Sequence, residues 1–176
     1  MNFAGIAGPL DTIDNTSTVE FKKVMEVNSF GVWLSMRAEI KQMLTQTPLE
    51  GTEGVRGGQR GSIVNAASVC SFQAGAATGA YTTSKHAVLG MTKATALEVR
   101  SQGVRVNCVS PGFMLSDMQK PMLRGEYHMG QGSGPFDKEN VMKSWEEFEK
   151  RQGGRPGLEE IGNAVVLLSC SRMSFV

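Results

Sequence analysis

Two short β-branched runs held apart by one long helical pattern constrain this chain more than any other feature. Ser62-Ile63-Val64-Asn65-Ala66 and Val104-Arg105-Val106-Asn107-Cys108-Val109 both read as strands, and Ser110-Pro111-Gly112 stops the second sharply. Between them, residues 79 to 101 carry Tyr81, Lys85, Val88, Met91, Ala94, Leu97 and Val99 at helical spacing, closed by Gln102-Gly103 as a C-cap. Strands so far apart cannot close as a hairpin, so with a helix between them they form a parallel βαβ unit. In open sheets of this kind ligands lie beyond the carboxyl ends of the strands. The residues just after Ala66 and Val109 are therefore the first place to look for chemistry.

The rest of the chain extends the same α/β pattern. Residues 1 to 16 are rich in Gly, Pro, Asn and Asp and read as a loop. Ser17-x-x-Glu20 is a capping pattern, followed by Phe21, Val24, Met25, Val32, Met36, Ile40 and Met43 at helical spacing, with Asn28 as an odd polar member; this predicts one long helix over about 18 to 44. The stretch 45 to 61 has the Gly, Pro and mixed charge of an exposed loop. Residues 113 to 157 read as a mobile excursion of short helical pieces between glycines, and Glu159 to about Ser169 as a last helix with Ile161, Ala164, Val165 and Leu168 on one face.

At 176 residues the chain has room for one domain, and 40% hydrophobic with 20% charged residues excludes collagen-like, disulfide-scaffold and disordered classes. A formal charge of +1 provides no field to recruit nucleic acid or an anionic membrane. The three cysteines, Cys70, Cys108 and Cys170, lack pairing or metal spacing, which suits free thiols in a reducing compartment, with the cytoplasm as the default. No apolar run approaches the roughly 20 residues of a spanning helix, and the first residues lack the pattern of a secretory signal.

The strongest local chemical feature is Tyr81-Thr-Thr-Ser84-Lys85, with Ser68 upstream at the end of a strand. On a helix, positions i and i+4 share a face, so the Lys85 ammonium can lie beside the Tyr81 phenol and lower its pKa from the ordinary value of about 10. Ser68 would then polarise a substrate oxygen held against that phenol, a trio suited to proton transfer at an alcohol or ketone oxygen. Taken alone, the same Tyr and Lys are also what two surface residues of a helix look like. Asn28, likewise, reads as a packed or capping residue until it is seen in this company.

The order of motifs resembles the short-chain dehydrogenase/reductase family along nearly the whole chain. Asn2-Phe3-Ala4-Gly5 resembles that family's Asn-Asn-Ala-Gly turn after the fourth strand, with Phe3 in place of the second Asn. Asn28 matches the helix asparagine of the catalytic tetrad, Gly61 to Ser68 the fifth strand with the catalytic serine, and Tyr81 and Lys85 the acid/base pair. Asn107 to Gly112 matches the sixth strand and the turn facing the nicotinamide, Ser116 the position near the carboxamide, and Gly154 to Ile161 the segment entering the last helix.

The resemblance implies a partial Rossmann-like doubly wound parallel sheet, the C-terminal half of such a domain, and hydride transfer between NAD(P) and an alcohol or ketone. NADP is favoured over NAD. By the resemblance, Asn28, Ser68, Tyr81 and Lys85 are catalytic. Asn28 would anchor a water on the proton path, and Asn2, Ala4, Gly5, Tyr81, Lys85, Pro111, Gly112 and Ser116 would hold the cofactor. The family's Gly-rich pyrophosphate turn is not among these residues, which points to a truncated gene product or gene model, incomplete at both ends. The resemblance also implies a homodimer or homotetramer built on the helices at 18 to 44 and 79 to 101. A catalytically inactive remnant that acts only through oligomerisation is the competing reading.

Blander features complete the expectations. Gly130-Gln-Gly132-Ser-Gly134 reads as part of a flexible substrate lid rather than a phosphate loop, because no strand precedes it. Arg56-Gly-Gly-Gln-Arg60-Gly61, one short copy without aromatics, reads as a solvated loop and not as an RNA-binding element. His86 and His128 make no metal spacing, so no metal is expected. Cys70 reads as a small buried filler near Ser68. Tyr127, Trp145 and several Met suggest an apolar, adaptable pocket wall for a bulky polyketide, steroid or terpenoid ketone of specialised metabolism.

Overall fold

Ser17 begins the first helix as the sequence predicts: its Oγ accepts from the Glu20 amide at 3.2 Å and donates to the Glu20 carboxylate at 2.7 Å. In the computed structural model, which describes residues 1–52, 58–114, 116–120 and 138–173, with side chains omitted at 138–142, 144 and 145, the long helix is not uniform. It runs as α1 (Thr18–Met25), a π-helical turn (Glu26–Phe30) and α2 (Gly31–Thr45). The cause lies in the spacing of its inward residues. Val24, Asn28, Val32 and Met36 are all buried at steps of four, and each step overruns the 3.6-residue turn by about 0.4 residue. A π turn absorbs the accumulated excess and keeps all four on the inner face.

β1 (Gly61–Ala66) and β2 (Val104–Val109) pair in parallel, with Gly61 opposite Val104 and Ala66 opposite Val109. On the other edge of β1 the backbone at Asn2 continues the sheet: its amide donates to Val64 O at 3.0 Å and its carbonyl accepts from the Ala66 amide at 2.9 Å. α3 (Gly79–Val99) makes the crossover between the strands. A short 3-10 turn (Arg100–Gln102) follows it, and then Gly103 at φ 76°. A Cβ on Gly103 would overlap the Gly58 carbonyl oxygen, so both the left-handed backbone and the close approach require glycine there.

Strand alternation sorts side chains onto two faces. Ile63, Val104 and Val106 join Val32, Met36, Val88 and Val99 in one core under α2 and α3. On the opposite face Ser62 Oγ donates to Leu168 O at 3.0 Å, and Arg105 donates to Leu168 O and Cys170 O at 2.9 and 3.1 Å. Arg105 thereby caps the end of α5 (Leu158–Ser169). Helices thus cover both faces of a parallel sheet, the doubly wound arrangement that the alternation implied. Full burial of Ile63 and Val88 contributes about 1.5–3 kcal/mol each.

Within 113 to 157 the structure differs from the expectation of short helical pieces. Residues 116–120 form a turn, with Lys120 N bonded to Ser116 O at 3.1 Å, and 138–152 form one regular helix, α4 (Lys138–Gln152), longer than the pieces expected. Gly153 and Gly154 end it, with Gly153 N bonded to Lys150 O at 3.2 Å and Gly154 N to Glu149 O at 3.1 Å. Gly153 has φ 85°, so this is a Schellman stop that a Gly-Gly pair makes easily. The glycine-rich lid at 130–134, Tyr127, His128, Arg56 and the Trp145 side chain lie outside the described residues. No helix among the described residues is long and apolar enough to cross a membrane.

Candidate active site

The carboxyl ends of β1 and β2 and the start of α3 converge. The chain leaves β1 through Ala67, whose amide donates to Val109 O at 2.9 Å, and Val69, whose amide donates to Pro111 O at 2.9 Å. Those two bonds tie the loop carrying Ser68 to the Pro111-Gly112 turn. Ser71 fastens the same loop to α3: its Oγ donates to Lys85 O at 2.8 Å and accepts from the Ser68 amide at 3.2 Å. Ser68 itself is buried and accepts from the Cys70 amide at 3.2 Å.

Tyr81 lies in the first turn of α3, half-buried, with its phenol beside the Ser68 side chain. Burial pushes the phenol above its ordinary pKa and the nearby Cys70 adds to the rise, while the Ser68 hydroxyl opposes both. Lys85, one turn on, is 4% exposed; its Nζ donates to Ala66 O at 2.7 Å and lies 5.6 Å from the Tyr81 ring centre. Burial lowers the Lys85 pKa from 10.5 to about 8, with Cys70 acting against the shift. Desolvation dominates at both groups, so the net shift at the phenol is upward rather than the lowering expected.

Asn28 sits in the π turn, fully buried. Its Oδ1 accepts from the Ile6 amide at 2.8 Å, and its Nδ2 donates to Ile6 O at 2.8 Å and to Ser84 Oγ at 3.0 Å. Both N–H groups of the amide are engaged by protein, so this side chain clamps the Gly5-Ile6 turn. Ser84, buried and one residue before Lys85, links the clamp to α3 by donating to Tyr81 O at 2.7 Å. Sequence reasoning missed Ser84 and Ser71. The signal was a serine at a buried helical position and another three residues after Ser68, where each can bond backbone locally.

The remaining site residues divide. Asn2 belongs to the sheet: its Nδ2 donates to Asn65 Oδ1 at 2.9 Å and Glu39 Oε2 at 3.0 Å. Gly5 lies against the cluster, since a Cβ there would stand 3.4 Å from Asn28 Oδ1 and 3.7 Å from Lys85 Nζ. Ala4 is exposed beside it, and Pro111 and Gly112 are half-buried. Ser116 bonds locally, to Gln119. His86 is exposed and bonds Thr82 O through Nδ1 at 3.0 Å, and Cys70 is half-buried rather than fully so.

A family model described as short chain dehydrogenase matches residues 1–126. The chain belongs to this short-chain dehydrogenase family. It is 39% identical over 160 residues to short-chain dehydrogenase fogB of Aspergillus ruber, covering 89% of this chain and 54% of that one. It is 30% identical over 184 residues to (+)-borneol dehydrogenase 2 of Salvia officinalis, covering 100% of this chain and 56% of that protein. Among solved structures, NAD+-bound xylitol dehydrogenase superposes with a TM-score of 0.74 at 26% identity, over 100% of this chain and 65% of its own. The chain thus spans about half the length of the curated relatives it matches.

The site fits the nicotinamide ribose end of a dinucleotide. Gly5 leaves the space a Cβ would fill beside the Lys85 ammonium, and that ammonium uses one of its three N–H groups on Ala66 O. Lys85 and Tyr81 are the side chains that could hold a ribose hydroxyl there. The Pro111-Gly112 turn, tied to the Ser68 loop, borders the same side.

Proposed function

We propose that this short-chain dehydrogenase interconverts an alcohol and a ketone with NAD(P), using Ser68, Tyr81 and Lys85. The observation that carries this reading is the cluster in which the Tyr81 phenol lies beside Ser68 and the buried Lys85 ammonium lies against its ring, at the carboxyl ends of two parallel strands. A bound nicotinamide supplies the hydride to the carbonyl carbon, or takes it from the alcohol carbon. Ser68 donates a hydrogen bond to the substrate oxygen and fixes it beside the phenol. Tyr81 gives its proton to that oxygen as the carbonyl becomes an alkoxide, so the product is a neutral alcohol. Lys85 holds the ribose and stabilises the phenolate left behind, and Asn28 fixes the Gly5-Ile6 turn against it.

Relatives named for borneol and zerumbone support a bulky terpenoid-like ketone and a place in specialised metabolism. The free cysteines suit a reducing compartment such as the cytoplasm. NADP over NAD remains part of the proposal. So does assembly as a homodimer or homotetramer, supported by the exposed Phe30 and Trp33, whose rings stack at 5.8 Å. Titration of the purified chain with NADH and NADPH, followed by nicotinamide emission, tests the reading together with turnover of a ketone panel. Tyr81→Phe is expected to keep binding and lose about 10²–10⁴-fold in kcat. A folded chain that neither binds nor turns over would overturn the proposal and favour the non-catalytic, oligomerising remnant.

A further inference from the structure

We propose that Gln152, at the end of α4, is a positioning residue that sets the conformation of the Pro111-Gly112-Phe113 turn for the nicotinamide. Its amide bonds both backbone groups of one residue: Oε1 accepts from the Phe113 amide at 3.0 Å and Nε2 donates to Phe113 O at 2.7 Å. A side-chain amide used in this way imitates a neighbouring strand and fixes the backbone at residue 113 from both sides. The same Nε2 donates to Gly154 O at 2.7 Å, so the amide is itself held by the stop of its helix. A Cβ on Gly112 would strike Gln152 Oε1 and approach Phe148 at 3.8 Å. Glycine at 112 therefore lets α4 close over the turn.

A second contact supports the first. The Arg155 guanidinium stacks 5.2 Å from the centre of the Phe113 ring and is paired with Glu149 at 2.7 Å. Phe113 is 8% exposed as a result of this cover. The turn is thus pinned at Pro111 by the serine loop, through Val69 N, and at Phe113 by α4. Any displacement of α4 is passed to the turn through one rigid amide, which couples the substrate-side excursion to the cofactor-side loop. The cofactor part of this inference rests on the oxidoreductase reading above; the clamp itself does not.

Gln152→Ala removes both bonds, whereas Gln152→Glu keeps an acceptor for the Phe113 amide but sets a carboxylate against two carbonyl oxygens. Two readouts separate the clamp from the function. Hydrogen exchange at the Phe113 amide, measured without ligand, is expected to accelerate about tenfold or more in Gln152→Ala and less in Gln152→Glu, which keeps the acceptor, with global stability as a control. Binding of reduced nicotinamide mononucleotide is then compared between wild type and the variants, at a temperature where all are fully folded. The variants are expected to weaken it about tenfold while Gly90→Ala, on the far side of α3, leaves it unchanged. Unchanged exchange, or a loss of binding no greater than in Gly90→Ala, overturns the proposal. A wild type that does not bind the nicotinamide half overturns the oxidoreductase reading instead, and exchange at Phe113 alone then decides whether Gln152 holds the turn.

Discussion

Burying Lys85 changes when its proton leaves, and the sign of the effect on stability follows. The unfolded chain keeps the proton up to about pH 10.5, the folded chain only to about 8. Between those values the unfolded state binds more protons, so this residue's penalty is fully present below pH 8 and is relieved as pH rises through the window. Tyr81 and Cys108, raised by burial, act in the opposite sense above their own ordinary values. Comparing the wild type with Lys85→Met isolates the lysine. Between pH 7 and 10 the stability difference is expected to shift toward the wild type by on the order of 2 to 3 kcal/mol, read from urea unfolding at each pH. Parallel pH profiles for the two proteins would show that Lys85 titrates normally. At this scale the trio Ser68, Tyr81 and Lys85 was legible from spacing, because i to i+4 geometry is local. The direction of the Tyr81 shift was not, because desolvation depends on what the rest of the fold places over the phenol.

Elements were read well where one residue pattern dictates them. β2 lies at 104–109 as expected, and α3 ends in the glycine stop at 103. Two glycines on or beside α3 should respond to alanine with opposite signs. Gly103 has φ 76° and no room for a Cβ, so Gly103→Ala is expected to cost about 1–3 kcal/mol or more. Gly90 lies inside the helix with open space around it, so Gly90→Ala is expected to add about 0.5–1 kcal/mol. Thermal and urea melts of both variants check the pair; a Gly103→Ala protein as stable as wild type would contradict the observed turn. The π turn was the element that reading for a 3.6-residue period smoothed over. The run of buried residues at steps of four contained it, but only the packed sheet shows that every one of them points inward.

For the whole molecule, helices on both faces bury the sheet while leaving apolar area outside. Trp33 is 43% exposed and Phe30 52%, in a groove also lined by Met25 and Met91. Oligomerisation through this face predicts that Trp33→Glu combined with Phe30→Ser lowers the solution mass without changing the circular dichroism spectrum, measured by light scattering. A wild type already monomeric at high concentration would remove that expectation. The near-neutral charge, +1, argues that such assembly is driven by apolar contact and depends little on salt.

By itself the sequence determined the parallel βαβ core, the strand ends as the seat of chemistry, and the family that its ordered motifs resemble. These follow from periodicity, turn residues and spacing, which act over a few residues at a time. Only the tertiary structure decided that Asn28 clamps Ile6 and Ser84, that the Tyr81 phenol is raised rather than lowered, and that Gln152 reaches back to Phe113. Each of these joins groups 22 to 56 positions apart or depends on burial. A polar side chain's partner is whichever unpaired backbone group the packed fold brings within about 3 Å, and no local pattern names that group in advance.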